Sequence, residues 1–232
     1  MNKTVVIHQP DFLPYLGFFH RFLHADLYIA LDHVQFVKGS RAYTNRDKIK
    51  TSKGESWLTI DTKKAPRNTP INKINLSSDH NWRDKSLHIL DVNYRDAPFY
   101  KEVLPEVEDL FSLSCDRLSE FNLRSIEILM NLLDTRIPWI LSSSMQPEGK
   151  KNELLINLLK KINATHYLSG IGAKAYLDEE LFHNVGIKVI WQGFTHPVYP
   201  QLFGEFIPNL TSLDILFNCG IKKSRLLLKE AR

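Results

Sequence analysis

His8 closes the β-branched run Thr4-Val-Val-Ile7 and opens the stretch His8-Gln-Pro-Asp-Phe-Leu-Pro-Tyr-Leu-Gly17. A second apolar run, Leu27 to Leu31, ends in the same manner at Asp32-His33. In an open parallel sheet, ligands bind beyond the carboxyl ends of the strands. His8 and Asp32 therefore mark a candidate catalytic site, with Gln9 and Gln35 beside them. A histidine titrates near neutral pH and can act as a general base. The plainer alternative is a core histidine with satisfied bonds and a turn aspartate, and residue type does not decide between the two.

A basic stretch follows, from Phe36 to Lys53, in which six lysines and arginines face one acid, Asp47. Most charge runs are solvated faces, and Lys48 to Lys53 fit that description. Lys38, Arg41, Tyr43, Asn45 and Arg46 instead mix charge with planar and amide groups, a set suited to a base or a diphosphate. RNA would be held by the same chemistry, but a net charge of only +4 argues against nucleic acid.

Three later loops carry polar groups at the ends of apolar runs. Leu141 to Glu153 is serine-rich and feeds a helix, yet it lacks the glycine-lysine-serine ending of a P-loop. Tyr167-Leu-Ser-Gly-Ile-Gly-Ala-Lys174 follows a strand, so Ser169 and Gly170 would let the backbone approach an anion, with Lys174 adding charge. Gln192 to Asn209 is crowded with prolines and aromatics, and His196, Tyr199, Gln201, Glu205 and Asn209 have no helical or strand rhythm to explain them. His196 is a second candidate base. Rigid packing over the core is the competing account of that loop.

The elements needed to position these groups are those of an α/β protein. Strands are expected at 4–7, 27–31, 56–60, 139–141, 166–168 and 188–191. Helices are expected at 15–23, 84–93, 99–111, 115–133 and 150–162. A short helix over 173–177 and a last one over 212–218, closed by Gly220, complete the set. The fold expected is an open, mostly parallel Rossmann-like sheet flanked by helices, one domain over residues 1–232 with a helical section at about 80–135. Hydrophobic content of 43% and charged content of 24% suit a soluble globular chain. Two distant cysteines and the lack of a signal-peptide core point to the cytoplasm. No apolar run approaches the roughly 20 residues that would span a bilayer. No HExxH, CxxC or paired-histidine spacing argues for a metal.

Taken together, several blocks resemble the WbqC-like family. They are His8-Gln-Pro through Gly17, Asp26 through Phe36, Asn45-Arg-Asp-Lys-Ile49, Glu148-Gly-Lys-Lys151, Tyr167-Leu-Ser-Gly170 with Lys174, and His196-Pro-Val-Tyr-Pro-Gln201 continuing to Asn218-Cys-Gly220. The resemblance runs over nearly the whole chain. It implies a setting in bacterial surface-polysaccharide and amino-sugar biosynthesis, including O-antigen and lipopolysaccharide. The implied activity is amide formation on a nucleotide-linked amino sugar from an activated acyl or aminoacyl donor, free or borne on a carrier; no other cofactor is called for. A binding protein without catalysis, or a nucleotide-dependent ligase, would share that setting. The opening strand, Pro-rich turn, helix and strand is also similar to nucleotidylyltransferases, but the paired histidines of that turn are replaced here by Tyr15, Gly17 and Phe18.

Overall fold

The computed structural model describes residues 2–39, 42–79 and 81–231. Of the expected site residues, Arg41 lies outside these. In chain order the strands are β1 (Thr4–His8), β2 (Leu27–Ala30), β3 (Arg46–Thr51), β4 (Gly54–Thr59), β5 (Trp139–Leu141), β6 (His166–Ser169) and β7 (Lys188–Trp191). The helices are α1 (Leu16–His20), α2 (Asn81–Tyr94), α3 (Tyr100–Ser112), α4 (Leu118–Leu133), α5 (Asn152–Lys161), α6 (Glu179–His183) and α7 (Ser212–Glu230).

Five strands form one all-parallel sheet in the order β5-β2-β1-β6-β7. This is the open α/β architecture expected. The runs in β1 and β2 are apolar without alternation because both sheet faces are covered. Val6, Tyr28 and Ala30 enter a large core shared with α1, α4 and α7. Val5, Ile7 and Ile29 point the other way, into a smaller core with Leu158 of α5 and Phe182 of α6. From β1 the chain winds outward through β2 to β5, then returns to the other side of β1 and winds through β6 to β7. The winding reverses between β1 and β6, and a crevice opens at the carboxyl ends of strands at such a point.

Helices α2, α3 and α4 fill the section expected to be helical, and α3 and α4 pack on α7. That block holds the loop after β1 in place. Asn122 of α4 donates to Pro10 O at 2.7 Å, and Leu13 N donates to Ser125 Oγ at 3.2 Å. At the start of α7, Thr211 and Ser212 donate to Leu13 O and Pro14 O, both at 2.7 Å. Leu13 sits at φ +42°, a conformation that these four bonds hold in place.

Several boundaries differ from expectation for local physical reasons. Strand β3 is absent from the expected set because its lysines read as a solvated run. In the fold Asp47, Ile49 and Lys50 are buried, and β3 pairs antiparallel with β4. The expected helix at 173–177 is a 3-10 turn over Ile171–Ala175; α6 begins later, where Asp178 accepts from Glu180 N at 3.2 Å. At Gly220 the helix breaks as expected, with φ +73°, but helical structure resumes beyond it to Glu230. A side chain at Gly220 would meet the Phe99 ring at 2.7 Å, so both backbone and space call for glycine. Among the described residues, no helix is long and apolar enough to cross a membrane.

Candidate functional site

The crevice at the β1/β6 reversal is a cleft of about 390 Å³. Its walls come from the end of β1 (Ile7, His8), from Tyr15 and Arg21 around α1, from Ser169 and Gly170 after β6, and from the chain after β7 (Gln192, Phe194, Asn209). Gly17 makes the α1 wall possible. A side chain there would meet the Tyr15 ring at 2.4 Å and Phe194 at 2.8 Å.

His8 ends β1 with its ring edge against Phe18, centroids 5.2 Å apart. Its Nδ1 lies 3.0 Å from Gln9 O, a geometry that suits Nδ1 as donor and leaves Nε2 with the lone pair. About a third of the side chain is open, yet the protein walls that surround it disfavour the charged ring. Burial, reinforced by the nearby Arg21 cation, holds its pKa down at about 3. His8 is therefore neutral over the physiological range.

Behind His8 stands Asp11, with Oδ2 3.5 Å from His8 Nδ1. Its Oδ1 receives a long contact from Thr44 Oγ1 at 3.5 Å, and the same hydroxyl reaches Gln9 Oε1 at 3.2 Å. Burial pushes the Asp11 carboxyl up to about 7, against the opposing pull of Arg21. Asp47, on β3, is also pushed well above the ordinary carboxylate value, by burial first and with Asp11 adding to it.

Arg21 is only 3% exposed and lies 5.3 Å over the Phe18 ring. Its Nε is buried with no hydrogen-bond partner among the described residues. It belongs to none of the ion pairs among the described residues. Of the cleft-lining residues it is the one that carries a permanent charge. Across from it, Gln192 donates through Nε2 to Gly17 O at 2.7 Å, which fixes the amide while Oε1 faces Gly170.

Four residues expected from sequence meet in this cleft: His8, Ser169, Gly170 and Asn209. The others lie elsewhere. Asp32 lies two residues beyond β2 and accepts from Ser142 Oγ (2.9 Å), Ser143 N (2.9 Å), Ser143 Oγ (2.6 Å) and Asn72 Nδ2 (3.1 Å). Burial would raise its pKa, but these donors more than offset that and hold it below the ordinary value. His196 is enclosed by Phe194, Tyr199 and Phe206, and burial lowers its pKa also. Tyr199 and Gln201 donate to Asp214 Oδ1 at 2.8 and 2.7 Å, while Lys50 Nζ donates to Gln201 Oε1 at 3.0 Å and to the Glu205 carbonyl.

The basic stretch is likewise spread along the hairpin. Arg46 stacks on Trp57 at 4.0 Å and donates to Ala42 O and Gly39 O. Tyr43 packs beside the same Trp57, and the buried Asn45 donates to Ile60 O at 3.2 Å. Lys38 and Lys174 are exposed, over Phe36 and Trp191. Gln9 holds Thr44, and Gln35 forms a backbone bridge to Pro70. Sequence reasoning missed Arg21, Tyr15, Gln192 and Asp11. Arg21 did leave a signal: it stands in an otherwise apolar stretch from Leu16 to Phe22, interrupted by one histidine.

A model of the WbqC-like protein family matches residues 9–226. The chain is similar to the uncharacterized protein Rv1507c of Mycobacterium tuberculosis, with 30% identity over 220 residues, 94% of each chain. No solved structure matches it.

Proposed function

Since the chain belongs to the WbqC-like protein family, we propose that it forms an amide on the amino group of a nucleotide-linked amino sugar during surface-polysaccharide synthesis. The group transferred is a small acyl or aminoacyl unit, such as glycyl, brought by an activated donor. The observation that carries this reading is a histidine kept neutral at the sheet's crossover, in a cleft whose one permanent charge is positive.

The sugar amine attacks the donor carbonyl, a C–N bond forms, and the donor's leaving group departs with its electron pair. The nitrogen must then lose a proton. His8 offers Nε2 for it, and the imidazolium so formed has Asp11 Oδ2 3.5 Å from its Nδ1, so that Asp11 in its ionised form offsets the charge. No enzyme nucleophile is needed for this route. Ser169 and Asn209 also line the cleft, and in this reading they orient the sugar.

The test is incubation with nucleotide-linked 4-amino sugars and a panel of acyl and aminoacyl donors, read by mass spectrometry. The expected result is a mass gain equal to acyl addition with loss of one amine hydrogen. His8→Ala should slow it by about 100-fold or more. Tight sugar binding with no amide from any donor would leave a binding protein and sink the transferase.

A further inference from the structure

An arginine buried without a partner is costly, since the guanidinium cannot shed its charge and loses its water. Such a group is retained where something else completes it. Arg21 has that character: buried, its Nε unpartnered among the described residues, and forming part of the cleft wall.

The space in front of it is held open by Gly170. This glycine has φ −71° and ψ +149°, an ordinary extended conformation that any residue adopts. Its backbone therefore gives no reason for glycine. A side chain beginning at that position would lie 4.0 Å from Arg21 Nη1 and 3.9 Å from Gln192 Oε1. The missing side chain leaves a gap bounded by the guanidinium edge, by Gln192 Oε1 and by the chain leaving β6, so a phosphate there must turn its oxygens to Arg21 and away from the amide oxygen. Ser169, 3% exposed, adds a hydroxyl to the cleft lining one residue before it.

We infer that the gap between Arg21 and Gly170 is an oxyanion subsite that takes one phosphate group. A guanidinium edge presents paired N–H donors that match two oxygens of one phosphate, and a low-dielectric wall strengthens the contact. The subsite lies in the cleft assigned above to the nucleotide-linked substrate and so rests on that reading for its biological ligand. Its chemistry does not depend on the amide-forming step. The phosphate could be that of the nucleotide sugar or that of a phosphate-activated donor. Arg21 supplies this contact from the cleft lining, to which Arg46 and Lys174 do not belong.

Calorimetric titration of the full chain with inorganic phosphate, pyrophosphate, a nucleoside diphosphate and acetyl phosphate tests this. Wild type should bind pyrophosphate, and Arg21→Gln should weaken it tenfold or more. Gly170→Val should do the same with Arg21 intact, because the added methyls fill the gap while the backbone angles suit valine. A melting temperature near wild type for Gly170→Val shows that the loss is local, should Arg21→Gln fail to fold. Lys174→Ala should bind within twofold of wild type. Stronger binding of the nucleoside diphosphate than of acetyl phosphate assigns the subsite to the sugar substrate; the reverse assigns it to the donor. No phosphate binding by wild type, or equal binding by wild type and Gly170→Val, overturns the inference. Loss of pyrophosphate binding in both variants, with no amide product in the wild-type assay, would keep the subsite and remove the transferase reading.

Discussion

Two polar clusters lie at the carboxyl edge of one sheet, beyond the neighbouring strands β1 and β2, and they are built on opposite terms. Just beyond β2, the Asp32 carboxylate accepts from four donors on Ser142, Ser143 and Asn72. Every one of those bonds stabilises the charged form, so the group is committed to the fold. At the end of β1, Arg21, His8 and Asp11 are shifted or unpartnered: one cation in no ion pair among the described residues, one imidazole kept neutral, one carboxyl held near half-protonation at neutral pH. A satisfied cluster stabilises, whereas an unsatisfied one is held in place by its surroundings at a cost to stability, in a form that a ligand can complete.

The largest expected contrast comes from removing one charge from each cluster. Asp32→Ala leaves two hydroxyls, an amide N–H and an asparagine amide without their acceptor, and should cost about 3 kcal/mol in urea unfolding. Arg21→Met keeps most of the packing on Phe18 and removes an unpartnered buried charge, so stability should hold or rise by up to about 1 kcal/mol. If Arg21→Met destabilises as much as Asp32→Ala, Arg21 is a structural cation and the comparison fails.

The two clusters also explain what the sequence could and could not disclose. Position at a strand end is visible in an apolar run, so both His8 and Asp32 stand out. Satisfaction is not visible, because Ser142, Ser143 and Asn72 are distant in sequence and reach Asp32 only through β5 and the loop before α2. The parallel sheet and the helical middle follow from unbroken β-branched runs and three- and four-residue spacing. By contrast β3 holds one apolar residue, Ile49, among four charged ones, and nothing local shows that Lys50 turns inward to Gln201 and the Glu205 carbonyl. The same logic hid Arg21. A lone arginine near a helix end reads as solvated, and its burial over Phe18 and beside Gly170 after β6 is a tertiary fact.

An intermediate effect should appear in the pH dependence of stability. The folded-state value of His8 is depressed, from 6.5 to about 3, so its contribution is present above pH 6.5 and is lost as pH falls toward 3. Asp11 is raised, from 3.8 to about 7, so its contribution is present below 3.8 and is lost as pH rises toward 7. Between about pH 4 and 6.5 the two act in opposite directions. His8→Gln should therefore make stability fall more steeply, or rise less, with pH in that window, and Asp11→Asn the reverse. The slopes are each below the ~1.4 kcal/mol per pH unit of a full proton, the His8 share most reduced because its ring opens to solvent. Urea midpoints at pH 4.5 and 6.5 measure both, and equal slopes in the two variants would mean that the pair is not perturbed as the geometry implies.

The smallest effect separates two histidines that look alike locally. His8 and His196 each place Nδ1 3.0 Å from the neighbouring carbonyl oxygen, Gln9 O and Pro197 O, and burial depresses both. They differ in what stands beyond the ring. His8 has Asp11 behind it and Arg21 nearby, whereas His196 is caged by Phe194, Tyr199 and Phe206. An aromatic cage has little preference for imidazole over a phenyl ring of similar shape. His196→Phe should thus change stability by no more than about 1 kcal/mol, the loss of one hydrogen bond set against the gain in apolar burial. It should leave pyrophosphate binding within twofold of wild type, since Phe194 keeps its place on the wall. A tenfold loss of binding in this variant would place His196 with the β1 cluster and make the cleft larger than its present walls.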